Sequence, residues 1–395
     1  MQYDFSVLTD RRNTNSLKWE VDENVLPMWV ADMDFKTAPE IIEAIQEKVS
    51  KGILGYTIIP DDWYKAIINW WGRRHNFQID KEWLIFCTGV VPAISSAVRK
   101  MTSVGENILV QTPVYNIFFN SIKNNGRNVV ENKLLYDGKE YSIDFEDLEN
   151  KLSDPQTTMM ILCNPHNPIG KVWDKDTLKR IGELCFKHHV LVLSDEIHCD
   201  LTDTQYEYTP FASISEICAN NSITCIAPTK AFNIAGVQTA AVVVPNEIFR
   251  HKINRALNTD EVAEPNAIAM EATIAAFTKG EKWLSELRYY IEENKKVAEK
   301  FIESELPELY IVPSHATYLL WIDCNKITQD TDYLCHFIYS EAGLYVSAGE
   351  TYGENGKGFV RINIACPKER LEDGLTRLKK GIQLFKKVNK MEGIK

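Results

Sequence analysis

The sequence predicts an α/β protein: a large domain on a mostly parallel, doubly wound sheet, followed by a smaller α+β domain. Three observations carry this. Short β-rich runs recur from residue 83 to residue 244, each ending in a polar or glycine-containing turn. Helical stretches separate several of them, as crossover connections between parallel strands require. After Asn246 the alternation gives way to long helical stretches. At 395 residues the chain is also longer than one hydrophobic core usually organises, which favours two packed domains.

Residues 1–42 are irregular, with Pro27 and Pro39, and are expected to pack back onto the smaller domain. The large domain is expected over 43–283. Its strands fall at 83–87, 107–111, 158–163, 190–194, 223–227 and 239–244, with crossover helices at 92–101, at 174–188 and in the interval before Lys151. Helical stretches at 267–277 and 281–304 lead into the small domain, 284–395. Strand-like 316–324, helix-like 332–341, strand-like 358–364 and a basic amphipathic helix over 368–390 complete it.

Forty-four Lys and Arg against 55 Asp and Glu give a net charge of −11, and no basic run offsets that field. Nucleic acid and anionic membrane are therefore poor partners. No apolar run approaches membrane-spanning length. The opening residues carry Asp4 and lack a basic stretch followed by an apolar one, so they do not read as a secretory signal. Nine cysteines, an odd number with no Cys-x-x-Cys pair, sit mostly in apolar runs. They read as reduced core thiols of a cytoplasmic protein, and no metal site is expected.

Ligands of open α/β sheets gather beyond the carboxyl ends of the strands, so the residues just after each run carry the chemistry. Gly89, Val90 and Val91 open a helix with Pro92 in its first turn, where free N–H groups and the helix dipole could hold a phosphate. Tyr115 follows the next strand and could stack on a planar ring or be plain core. Asn164-Pro165-His166-Asn167-Pro168-Ile169-Gly170 fixes Asn167 at the rim with its amide free to donate. Asp195 ends a run apolar enough to be central, where a carboxylate needs a partner. A protonated heterocyclic nitrogen would serve, although Asp195 could also cap the following segment. His198, without a second ligand at metal spacing, reads as a hydrogen-bonding group near the site. Lys230, in Pro228-Thr229-Lys230-Ala231-Phe232, is the lysine whose surroundings suggest removal from water. Burial lowers an amine's pKa, and a neutral amine can form a Schiff base. Anion cradle, stacking aromatic, fixed Asn, isolated carboxylate and lysine together match pyridoxal 5'-phosphate (PLP).

At these residues the sequence resembles the fold-type I PLP-dependent enzymes, the aspartate aminotransferase superfamily, over nearly its whole length. The resemblance implies that Lys230 carries the cofactor, Asp195 pairs with its ring nitrogen, Asn167 contacts its ring oxygen and Tyr115 stacks on its ring. Arg361, in Gly358-Phe359-Val360-Arg361-Ile362-Asn363, resembles the arginine that grips a substrate carboxylate. Tyr56, in Leu54-Gly55-Tyr56-Thr57, resembles a tyrosine that reaches the phosphate of the neighbouring subunit, implying a homodimer with shared sites.

Three further stretches, 10–16, 26–35 and 230–236, are similar to the MalY/PatB-type cystathionine β-lyases. By that likeness the backbone near Ala31 faces the substrate. Gln238 stands where typical aminotransferases carry a phosphate-binding Arg, and His198 where they carry a Tyr touching the ring oxygen; both suit the lyase branch. Ala227 replaces a common phosphate-binding Ser, leaving Thr229 as the hydroxyl expected at the phosphate. The expected activity is carbon–sulfur β-elimination from an amino acid such as L-cystathionine or L-cysteine, with Lys230, Tyr115 and Asp195 as catalytic residues. An aminotransferase, or a PLP-carrying regulator acting through protein contacts, is the alternative.

Overall fold

The computed structural model describes residues 2–391. A seven-stranded sheet organises the larger part, formed by β1 (Leu84–Cys87), β2 (Asn107–Thr112), β3 (Asn128–Lys133), β4 (Thr157–Cys163), β5 (Leu191–Asp195), β6 (Ser222–Ile226) and β7 (Ala240–Val243). They lie in the order β1-β7-β6-β5-β4-β2-β3, with β7 antiparallel to both neighbours and the other neighbouring pairs parallel. The six expected strands are present with no end shifted by more than one residue; β3 is an addition.

Alternate residues of the central strands feed two different cores. Ile108, Val110, Met159, Ile161, Leu191 and Leu193 join one hydrophobic cluster, while Leu109, Met160, Leu162 and Val192 join another on the opposite face. A strand buried on both faces reads as an unbroken apolar run, which explains why these segments stood out in the sequence. Helices Val90–Met101 and Glu247–Thr259 pack with the first cluster and Phe145–Leu152 and Lys175–Lys187 with the second. Side chains cap several helices: Asp174 accepts from Thr177 N, Asn246 from Phe249 N and Asn266 from Ile268 N and Ala269 N.

Helix Asp61–Arg74 places Trp63, Ile67, Trp70 and Trp71 on one buried stripe, at the spacing one helical face requires. It packs on helix Ala267–Lys279, as does helix Pro39–Ser50. Emptying a buried Trp site of this kind costs about 3–5 kcal/mol.

The C-terminal part carries an antiparallel four-stranded sheet of β8 (Tyr310–Ile311), β9 (Leu319–Asp323), β10 (Ser347–Ala348) and β11 (Phe359–Asn363), in the order β8-β9-β11-β10. Helices Thr331–Ala342 and Lys368–Met391 pack together beside it. Leu26 and Pro27 pair in parallel with Leu344 and Tyr345, tying the irregular N-terminal segment to this part. Gly343 makes the junction with φ +65°, and a Cβ there would fall 2.7 Å from the Asn24 carbonyl oxygen. All nine cysteines are free and buried, and no helix among the described residues is long and apolar enough to cross a membrane.

Candidate active site

One rim of the large sheet collects the residues that follow β1, β2, β4, β5 and β6. They line a cavity of about 290 Å³ whose walls include Gly89, Val90, Val91, Tyr115, Asn167, Asp195, His198, Thr229, Lys230 and Ala31. Residues far apart in sequence converge there because the parallel strands all end on the same side.

Gly89 precedes the first turn of helix Val90–Met101, and Ala93 is the first residue to close a bond back to it, from its N–H to the Gly89 carbonyl. The Val90 and Val91 amides therefore stand at the positive end of a helix with no acceptor in the preceding turn, suited to an anion. Opposite, the loop after β4 is fixed by Gly170, whose φ of +66° and contact with Ser314 exclude a side chain. Asn167 sits in it nearly fully buried, its N–H donating to Cys163 Sγ.

Asp195 ends β5, buried, and its carboxylate accepts one hydrogen bond, from Ile197 N at 3.1 Å. Burial pushes its carboxyl up to about 7, against this amide and the nearby Lys230 ammonium. The adjacent Glu196 is also buried but turns to a different set of partners, Ser194 Oγ, Phe211 N, Asn164 and Tyr208 OH. Asp195 is thus the acid that borders the cavity.

Lys230 lies four residues beyond β6 and donates from Nζ to the Ala31 carbonyl at 2.7 Å. Desolvation lowers its amine to about 8, with Asp32 and Asp195 holding it from falling further and Arg361 adding to the fall. His198 is buried with Nδ1 unpartnered, and desolvation drives its imidazole down to about 3, so the ring is neutral. The hydrogen bond expected of it from sequence has no partner among the described residues. Burial and the Asp195 charge raise the Tyr115 phenol to about 12, so it keeps its proton at neutral pH.

Arg361, 5% exposed on β11, donates from Nη1 to Asn167 Oδ1 at 3.1 Å and from Nη2 to the Trp29 carbonyl at 2.9 Å. Its guanidinium lies 4.7 Å from the centre of the Tyr352 ring, and Nε has no partner. Two expected site residues do not line the cavity of this chain: Arg361, which reaches it through its bond to Asn167, and Tyr56, which is fully exposed and lies apart.

Several lining residues escaped sequence reasoning, among them Thr88, Cys163, Ile197, Ala235 and Thr239. Proximity to the strand ends was the signal for most of them, while Ala235 falls in the 230–236 stretch. Elsewhere His75, Cys199 and Asp200 approach one another. Asp200, however, already accepts from Trp70 Nε1 and Arg74 Nε and pairs with His75, which makes the trio an ion-pair cluster. A wider open groove of about 1050 Å³ runs beside Asn24 and Arg377, its walls interleaving acids with bases.

A mostly parallel sheet whose one rim presents a lysine, a lone carboxylate and a helix N-terminus defines a fold-type I, aminotransferase-like protein. The chain belongs to the aminotransferase class I and II family, which it matches over residues 23–378. It is 42% identical over 381 residues to cystathionine beta-lyase PatB of Bacillus subtilis, covering 95% of this chain and 98% of that protein. Protein MalY of Escherichia coli is 32% identical over 384 residues, with 95% and 98% coverage. Among solved structures, cystalysin from Treponema denticola, which contains a pyridoxal 5'-phosphate cofactor, superposes with a TM-score of 0.93 at 35% identity, covering 97% of this chain and 99% of that one. The PLP-bound C-S lyase from Staphylococcus hominis gives a TM-score of 0.91 at 32% identity, with 96% and 99% coverage.

Proposed function

We propose that this chain is a PLP-dependent carbon–sulfur β-lyase that cleaves L-cystathionine, L-cysteine or a related cysteine S-conjugate into a thiol, pyruvate and ammonia. The observation that carries the reading is the convergence of Lys230, Asp195 and the Val90–Val91 amides on one cavity. The similarity to PatB and the C-S lyase supports the choice of reaction.

The cavity fits the cofactor because it holds polar groups that the described residues leave wholly or partly unsatisfied: the His198 Nδ1, without a partner, and the Asp195 carboxyl, buried with one backbone partner. Lys230 would bond to it, Asp195 face its ring nitrogen, Tyr115 its ring, Asn167 and His198 its ring oxygen, and Gly89, Val90, Val91 and Thr229 its phosphate. When bound, PLP supplies an electron-withdrawing ring that stabilises negative charge developing at the substrate α-carbon.

Arg361 anchors the substrate carboxylate through its remaining donors, beside the Ala31 backbone. Lys230, with its amine lowered to about 8, loses its proton far more readily than an exposed lysine and removes the α-proton as general base. Tyr115, protonated, sits at the same cavity to return a proton to the departing sulfur, or Lys230 passes on the one it took. The carbon–sulfur bond electrons leave with the thiolate, and the released enamine hydrolyses to pyruvate and ammonia.

The same reading takes the molecule as a cytoplasmic homodimer in which Tyr56 completes the partner's phosphate site. It divides the chain into residues 1–42, 43–283 and 284–395. The testing experiment is acceptor-independent pyruvate release from cystathionine and cysteine by the purified protein, abolished in Lys230→Ala with the fold retained. Keto acid formation that requires an amino acceptor would instead make it an aminotransferase.

A further inference from the structure

Residues 29–35 belong to no strand, yet every carbonyl among them accepts a bond from a side chain. Trp29 O accepts from Arg361 Nη2 and Ser347 Oγ, Ala31 O from Lys230 Nζ, and Asp34 O from Thr9 Oγ1. Two asparagines do most of the rest. Asn363 Nδ2 donates to Val30 O at 2.7 Å and Asp32 O at 2.8 Å. Asn233 Nδ2 donates to Met33 O at 3.1 Å and Phe35 O at 2.8 Å, while its Oδ1 accepts from Met33 N at 3.1 Å. Lys18 and Arg11 add bonds to Asp32 O and Met33 O.

We propose that Asn233 and Asn363 are positioning residues that hold this segment as one backbone strap and thereby set the distance between the Lys230 amine and the Arg361 guanidinium. Asn233 stands three residues after Lys230, and its left-handed φ of 54° turns its amide back onto the strap. Asn363 stands two residues after Arg361 on β11, on the same face of the strand. Each asparagine is thus rigidly linked to one of the two groups that must meet the substrate. The strap between them touches both groups directly, through the Ala31 and Trp29 carbonyls. A backbone segment without a ladder has few main-chain partners for its acceptors, here the Asp32 N–H on Val30 O, so side chains fix most of them. A misplacement of about 1 Å between reacting groups is enough to cost ~10²-fold in rate.

The inference rests on the lyase reading only for the reaction it affects, so its test has a second arm that needs no turnover. Asn233→Gly deletes one amide while keeping the left-handed backbone unstrained. Asn363→Ala deletes the other, with Asn363→Ser in reserve should alanine fail to fold. Hydrogen exchange is read on the cofactor-free protein. Asn363→Ala is expected to speed exchange of the Met33 amide at least tenfold, although that amide bonds to Asn233. Asn233→Gly is expected to do the same at Asp34, whose N–H bonds to Ala365 O at 2.8 Å. In the turnover arm, each single substitution lowers kcat/KM for pyruvate release at least tenfold, and the double mutant loses less than the product of the two. Faster exchange confined to the amides that each deleted side chain touches, or strictly multiplicative kinetic losses, would overturn the proposal. Absence of pyruvate from the wild type would remove the lyase reading and leave the exchange arm to decide the strap.

Discussion

Arg361 Nη1 donates to Asn167 Oδ1 across 3.1 Å, joining the C-terminal sheet to the loop after β4. The expected carboxylate anchor and the expected ring-oxygen contact are therefore one bonded unit. With Oδ1 occupied, Asn167 retains Nδ2 as the donor it can offer into the cavity.

Replacing Arg361 by Lys keeps the charge but loses the planar fork that serves Asn167, Trp29 and a carboxylate together. Loss of a charge-assisted hydrogen bond costs about 1.5–3 kcal/mol. Arg361→Lys is expected to lower kcat/KM by roughly 10–150-fold, mostly through KM. Steady-state kinetics with an amino acid and its carboxamide check this: the wild type should prefer the acid strongly, and the variant should lose the preference.

Asp195 gives a pH prediction for the cofactor-free protein. Its carboxyl is raised in the fold from the ordinary 3.8 to about 7, so between those values the folded state holds a proton that the unfolded chain has released. Unfolding free energy contributed by this group accordingly falls as pH rises from about 4 to about 7. Asp195→Asn removes the effect, and its stability relative to wild type should climb across that window by up to a few kcal/mol, at ~1.4 kcal/mol per pKa unit. Denaturant titrations at pH 4 and pH 7 measure it; an unchanged difference would contradict the buried, unpaired carboxyl. In the loaded enzyme the same variant should lose far more kcat than cofactor affinity.

Tyr115 keeps its proton because burial and Asp195 hold its phenol near 12. If it serves the departing sulfur, Tyr115→Phe should lower kcat about 10²-fold, at the low end for general acid catalysis. The loss should shrink for S-conjugates whose thiols are more acidic, since these leave with less proton assistance. Equal losses across such a series would leave Tyr115 a stacking role only.

Tyr56 is fully exposed in the single chain, within a segment that also exposes Ile53, Leu54 and Ile58. If it serves a partner subunit, mixing inactive Lys230→Ala chains with impaired Tyr56→Phe chains should restore activity once subunits exchange. The hybrid dimer then contains one site with both native residues. No recovery, with both variants folded and subunit exchange verified, would overturn the shared site.

The central strands were legible because burial on both faces makes them continuous apolar runs. Asn128–Lys133 was not, being an edge strand paired on one side only and rich in Asn, Glu and Lys. Lys230, Asp195 and Asn167 could be picked out because each follows such a run. Arg361, Ala31 and Tyr56 needed the family resemblance, since nothing local in 358–363 or 54–57 announces a ligand. Asn233 and Asn363 fall in stretches that carry the family resemblance, but their role had no signal: their partners lie roughly 200 and 330 residues away in sequence, and one sequence does not display such pairings.

The burial of all nine cysteines bears on what the protein can tolerate from its own chemistry. Burial holds every one of their thiols above the ordinary range, Cys87 at about 11 and Cys366 at about 12. Thiolate is the species that exchanges with disulfides and persulfides. Under the proposed reaction thiols are released into a cavity lined by Cys163, and any disulfide that an external oxidant makes of them would meet that thiol first. Kept protonated by burial, the nine thiols would exchange slowly with such disulfides, and mixed disulfides would accumulate slowly.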